Sequence, residues 1–78
     1  MPIRQLDLHG YSLSSALTEV EREINQTFCQ GEKDREFRVI TGWGETLRPG
    51  VKKYLANHPL VKYLNISGPS ILVEVEDR

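Results

Sequence analysis

Between Leu13 and Phe28 the residues Leu13, Ala16, Leu17, Val20, Ile24 and Phe28 form one apolar stripe at helical spacing. Strand-like segments flank this stretch, Ile3 to Leu8 before it and Phe37 to Thr41 after it. A strand, a helix and a strand in succession have few solutions. The crossover is expected to be right-handed, with the two strands in one sheet and parallel. Ser12 stands where a hydroxyl caps a first helical turn. Gly31 offers the left-handed conformation that stops a helix, so the spacing predicts a helix over 13–30. Glu19 and Glu23, four apart, are a slightly unfavourable like-charge pair on another face of it. Residues 32–36 read as a charged surface turn.

The second half extends the pattern. Gly42-Trp43-Gly44 ends the second strand, and Pro49 falls in the first turn of a helix predicted over 47–57. Leu47, Val51, Tyr54 and Leu55 form its apolar face, Gly50 weakens it, and Asn57-His58-Pro59 closes it. A short strand is expected at 61–64, a turn at 65–70 and a last strand at 71–76. The order is β-α-β-α-β-β. The expected fold is α/β, an α+β two-layer sandwich of a four-stranded mixed sheet and two helices.

At 78 residues the chain buries only roughly 60 to 65% of the surface it exposes when unfolded. It has room for one core and one domain. A dinucleotide-binding domain joined to a substrate domain is excluded, and so is a full barrel enzyme. With 38% hydrophobic and 27% charged residues disorder is disfavoured. No apolar run approaches the ~18 residues of a membrane span, and no membrane partner is expected. The single Cys29 forms no internal disulfide, which points to a reducing, cytoplasmic compartment; beside Phe28 it reads as a packing residue. His9, His58 and Cys29 are too few and too scattered for a structural zinc motif, so neither metal nor cofactor is expected.

Two loops carry chemistry. Asp7 and His9 are two apart and share a face if they extend a strand. Each has a plain alternative, Asp7 as a turn cap and His9 as a half-buried polar residue. In Thr41-Gly42-Trp43-Gly44 two glycines allow a ligand close to the backbone and its N–H groups. They could also simply end a strand. Trp43 is either a lid on the core or an exposed stacking platform. Parallel neighbouring strands bring both loops to one sheet edge, where ligands of open α/β sheets bind. Arg48 arrives just after. The net charge of -1 argues against binding nucleic acid by bulk charge, yet residues 46–72 carry Arg48, Lys52, Lys53 and Lys62 and no acid. These lysines serve either solubility or phosphate contact. His58, in a helix stop, reads as structural.

These residues resemble the Smr (small MutS-related) domain family. Leu6-Asp7-Leu8-His9-Gly10 matches its first signature, with Ala16 early in the helix that follows. Thr41 to Gly44 matches the second, and Leu47-Arg48-Pro49 and His58-Pro59 complete the likeness over about residues 5–76. The short loop before the second helix, only Glu45 and Thr46, is similar to the form in MutS2-type proteins. The family's middle loop position is usually Lys or Arg, where this chain has Trp43. The resemblance implies a fold similar to the C-terminal domain of bacterial translation initiation factor three. It also implies a single domain over 1–78 that commonly sits within a longer protein.

The family includes nucleases of DNA and of messenger RNA, some acting at stalled ribosomes. The implied activity is an endonuclease on RNA or structured DNA. Asp7 and His9 would be catalytic; Gly42, Trp43, Gly44, Arg48, Lys52, Lys53 and Lys62 would contact nucleic acid. Metal-independent general acid/base chemistry is expected, because one Asp supplies too few carboxylates for a two-metal site. The expected partners are RNA or branched or single-stranded DNA, and the ribosome. The isolated domain is expected to be a monomer. The alternative is a module that binds nucleic acid, or docks on a ribosome or protein, without cleaving.

Overall fold

The computed structural model describes residues 4–30 and 35–76. Its elements are β1 (Arg4–Asp7), α1 (Leu13–Gln30), β2 (Glu36–Ile40), α2 (Leu47–Ala56), β3 (Val61–Ser67) and β4 (Ser70–Val75). Ile3, the helix stop at Gly31, the turn residues 32–34 and Asp77 lie outside the described residues.

The sheet order is β1-β2-β4-β3. β1 and β2 are parallel, with Leu6 opposite Val39 and Asp7 opposite Ile40. β4 runs antiparallel to both its neighbours. One sheet face is dry. Phe37, Val39, Ile71, Val73 and Val75 are buried, and so are Ala16, Val20 and Ile24 of α1 and Leu47, Val51 and Leu55 of α2. Both helices therefore cover the same face, and the other face of the sheet meets solvent. Fully burying such a side chain is worth about 1.5 to 3 kcal/mol. A surface ion pair contributes about 0 to 1 kcal/mol, so this one-sided core decides the fold.

Local signals explain the elements. The Ser12 hydroxyl accepts the Ser15 N–H at 3.3 Å and caps α1. Arg4 bonds Glu23 and Thr27, tying β1 to α1 and giving the buried Thr27 hydroxyl a partner. The like-charged Glu19 and Glu23 thus face different cations, Arg22 and Arg4. A Cβ on Gly50 would sit 2.6 Å from Leu13 Cδ1. The glycine that weakens α2 as a helix leaves room there for the Leu13 side chain of α1.

One expectation needs correction. The turn expected over 65–70 is shorter: β3 runs on to Ser67 and the turn is only Gly68-Pro69. Asn65 and Ser67 are turn formers by local propensity. Pairing with Leu72 and Ser70 of β4 overrides it, and Gly68, at φ +57°, supplies the bend.

Candidate functional site

Leu8 continues β1 into the core, and its N–H donates to Ile40 O at 2.8 Å. Leu8 O then accepts the Tyr11 N–H at 3.0 Å, closing a tight turn around His9-Gly10 in which Gly10 has φ +83°. This places His9 at the end of β1, on the solvent side. The end of β2 lies beside it. A Cβ on Gly42 would lie 3.7 Å from the His9 Cβ, and Gly42 has φ +75°. A side chain there would touch His9 at ordinary contact distance, and the positive φ would strain it.

The two loops do meet, and a third joins them. Thr41 N–H and Gly42 N–H donate to Pro69 O at 2.9 and 3.1 Å, so the β3–β4 turn holds the second loop in place. The buried Thr41 hydroxyl bonds Gly42 O and Pro69 O. The Gly42 amide is therefore committed within the protein and is not the anion donor expected of it.

Asp7 and His9 form a pair, with Nδ1 of His9 2.7 Å from Oδ1 of Asp7. The same oxygen accepts the His9 N–H at 3.1 Å. These bonds hold the Asp7 carboxyl below the usual carboxylate range, and the side-chain bond to Asp7 raises the His9 imidazole above its ordinary value. Nδ1 is thus engaged by Asp7, and the ring is otherwise largely open to solvent. The pair is exposed, so it is chemically accessible.

Trp43 is 69% exposed and is not a lid on the core. The Arg48 guanidinium carbon lies 5.3 Å from its ring centroid, and Arg48 Nε donates to Gly68 O at 3.1 Å. A shallow groove runs past His9, Tyr11, Trp43, Gly44 and Glu45. Lys52 is exposed one helical turn beyond Arg48, on the same side of α2. The other lysines lie elsewhere. Lys53 lines a separate apolar groove between the helices. Lys62 is the second residue of β3, at the sheet end away from the loops, 3.9 Å from Glu74. Sequence order grouped these lysines, and the topology parts them. Tyr11 of the groove was missed, because nothing in its spacing marks it.

His58 has a structural role. Leu60 N–H donates to Nδ1 at 3.1 Å, which leaves the proton on Nε2, donated to Glu21 at 2.7 Å. Tyr54 and Asn25 also bond Glu21. These bonds, that of Tyr54 foremost, keep the Glu21 carboxyl below its usual range. Burial, reinforced by Glu21, pushes the Tyr54 phenol up to about 12. The cluster clamps α1 to α2 with both His58 nitrogens engaged. Cys29 is exposed, contrary to a packing role; the turn of α1 points Phe28 inward instead.

The pair makes a direct prediction. Asp7→Asn removes the charged acceptor that favours the imidazolium. The His9 titration midpoint, followed by NMR of the ring protons, is expected to fall towards the ordinary histidine value. An unmoved midpoint would show that the pair does not exist in solution. Among the described residues no group of three or more His, Cys, Asp or Glu side chains is placed to hold a metal ion. No helix among them is long and apolar enough to cross a membrane.

Comparison with known proteins identifies the family and agrees with the fold. The family model described as "Smr domain" matches residues 6–70. The chain is 39% identical over 59 residues to "Endonuclease MutS2" of Shouchella clausii (strain KSM-K16). That match covers 74% of this chain but only 7% of the relative's length. The crystal structure of the Smr domain of Thermus thermophilus MutS2 superposes with a TM-score of 0.84 at 20% identity, covering 95% of this chain and 99% of that one. This last likeness is one of fold.

Proposed function

The chain belongs to the Smr domain family, and on that premise we propose that it is an endonuclease domain that cleaves phosphodiester bonds in RNA by metal-independent general acid/base chemistry. One observation carries the reading: the exposed Asp7–His9 pair stands where the glycine loop and Arg48 gather. The name of the Shouchella clausii relative, an endonuclease, is consistent with it.

In this mechanism the 2′-hydroxyl of the substrate attacks the adjacent phosphorus and its proton leaves to solvent. The P–O5′ bond breaks, and His9 gives the Nε2 proton to the departing oxygen. Asp7 orients the ring and stabilises its protonated form, which enlarges the imidazolium fraction near neutral pH. Activity then holds below the raised His9 pKa and falls above it. Arg48, with Nε on Gly68, keeps its remaining guanidinium N–H groups for phosphate. Gly44 and Lys52 are the further phosphate contacts in this reading. Structured DNA is the other substrate class, and it requires a water nucleophile.

The test is a cleavage assay with matched RNA, DNA and branched-DNA strands in EDTA. Cleavage of RNA alone is the expected result. Activity restored only by Mg²⁺ would reject metal independence, and equal cleavage of DNA would reject the 2′-hydroxyl step. No cleavage of any strand would favour the second reading, a module that binds without cutting. Trp43 in place of a family cation, with Glu45 beside it, supports that reading. Docking on a ribosome or on a protein partner belongs to the same second reading. As part of the same proposal the chain is one domain with its core at about 5–76, monomeric in isolation and acting in the cytoplasm.

A further inference from the structure

Among the described residues four large hydrophobic side chains are exposed: Tyr11, Trp43, Tyr63 and Ile66. Two of these, Tyr11 and Trp43, line the groove beside His9, one from each loop. Neither rests on a slack segment. Tyr11 is fixed by the hydrogen bond from its N–H to Leu8 O across the His9-Gly10 turn. Trp43 is propped by Arg48, and a Cβ on Gly68 would lie only 3.5 Å from its ring. The prop takes part of the ring surface, and 69% of the residue remains open. A propped Trp43 ring and a Tyr11 side chain on a hydrogen-bonded turn thus flank a proton-transfer group, and the fixed backbone of both limits the ordering cost of binding.

We propose that Tyr11 and Trp43 are paired stacking platforms that hold two unstacked bases of one strand on either side of the phosphate presented to His9. The inference rests on the nucleic-acid reading above and specifies its substrate: a single-stranded or looped segment. Every base has a π-face, so the platforms accept any sequence. A duplex keeps its bases stacked on one another and cannot fill both platforms. Arg48 acts in this scheme as a positioning residue for Trp43.

Trp43 is the only tryptophan of the chain, so its fluorescence reports on the site directly. The experiment titrates the protein with a short single-stranded 2′-O-methyl RNA, which lacks the attacking hydroxyl, and with the same sequence as a duplex. Quenching by the single strand is expected, with the duplex binding far more weakly. Tyr11→Ala is expected to weaken single-strand binding about 5- to 150-fold, the range that one stacked base represents. Tyr11→Phe, which keeps the ring, should bind as the unaltered protein does. A strand made abasic at the base that Tyr11 holds should bind the Tyr11→Ala variant and the unaltered protein alike. Equal binding of Tyr11→Ala and the unaltered protein to the intact strand would overturn the inference, as would equal quenching by duplex. Parallel cleavage assays keep the two readings apart. Cleavage with Tyr11-independent binding rejects the platforms alone. Tyr11-dependent binding without cleavage rejects the endonuclease alone.

Discussion

His9→Ala is expected to lower RNA cleavage about 10²- to 10⁴-fold, the usual contribution of a positioned proton-transfer group. Affinity should change little, because Arg48 and Trp43 are untouched. Stability should change little too, since the His9 side chain is 75% exposed and its ring is bonded to an Asp7 side chain that is itself 55% exposed. The comparison that matters is single-turnover cleavage against equilibrium binding on the same RNA. Loss of the rate with binding preserved is the signature of a group that acts on the reacting atoms. An unchanged rate would remove His9 from the mechanism. Asp7→Asn should cost less than His9→Ala, because it leaves the imidazole in place and removes only the charge that favours its protonated form.

Phe37→Ala is expected to destabilise the domain by about 3 to 5 kcal/mol. Phe37 is the largest of the fully buried side chains and lies on β2, an inner strand between β1 and β4. Its removal leaves a cavity that two helices on one side cannot collapse to fill. The total stability of a 78-residue domain is on the order of 4 to 12 kcal/mol. The loss is therefore a large share of the whole. Thermal unfolding followed by circular dichroism should show a midpoint lowered by about 12 to 40 °C. Lys62→Ala, which removes a 3.9 Å surface pair with Glu74, is the contrasting substitution and should stay within about 1 kcal/mol. A Phe37→Ala midpoint close to that of Lys62→Ala would contradict the one-sided core.

The sequence alone determined the element order, the helix from Leu13 to Gln30 and the apolar faces of both helices. These follow from periods of 3.6 and 2, which are local and survive without knowledge of partners. It placed Asp7 and His9 at the end of the first strand but left their roles open; the structure puts His9 in the turn after β1, where the Asp7 carboxylate accepts the His9 backbone N–H as a turn cap and also meets the ring. Tertiary structure decided the rest. The length of β3 depended on which strand it met, and pairing with β4 carried Asn65 and Ser67 into a ladder that their propensities oppose. The β3–β4 turn became part of the site because β4 inserts beside β2 and delivers Pro69 O to the Thr41 and Gly42 amides. The lysines, close in the chain, were separated because Lys52 and Lys53 leave α2 at different angles around the helix and β3 starts, with Lys62, at the sheet end away from the loops. Tyr11 entered the groove because β1 and β2 pair side by side, and Arg48, five residues from Trp43, is held beside its ring by a bond to Gly68 O of the distant β3–β4 turn. Such contacts depend on strand order and register, and no local pattern of residues encodes either.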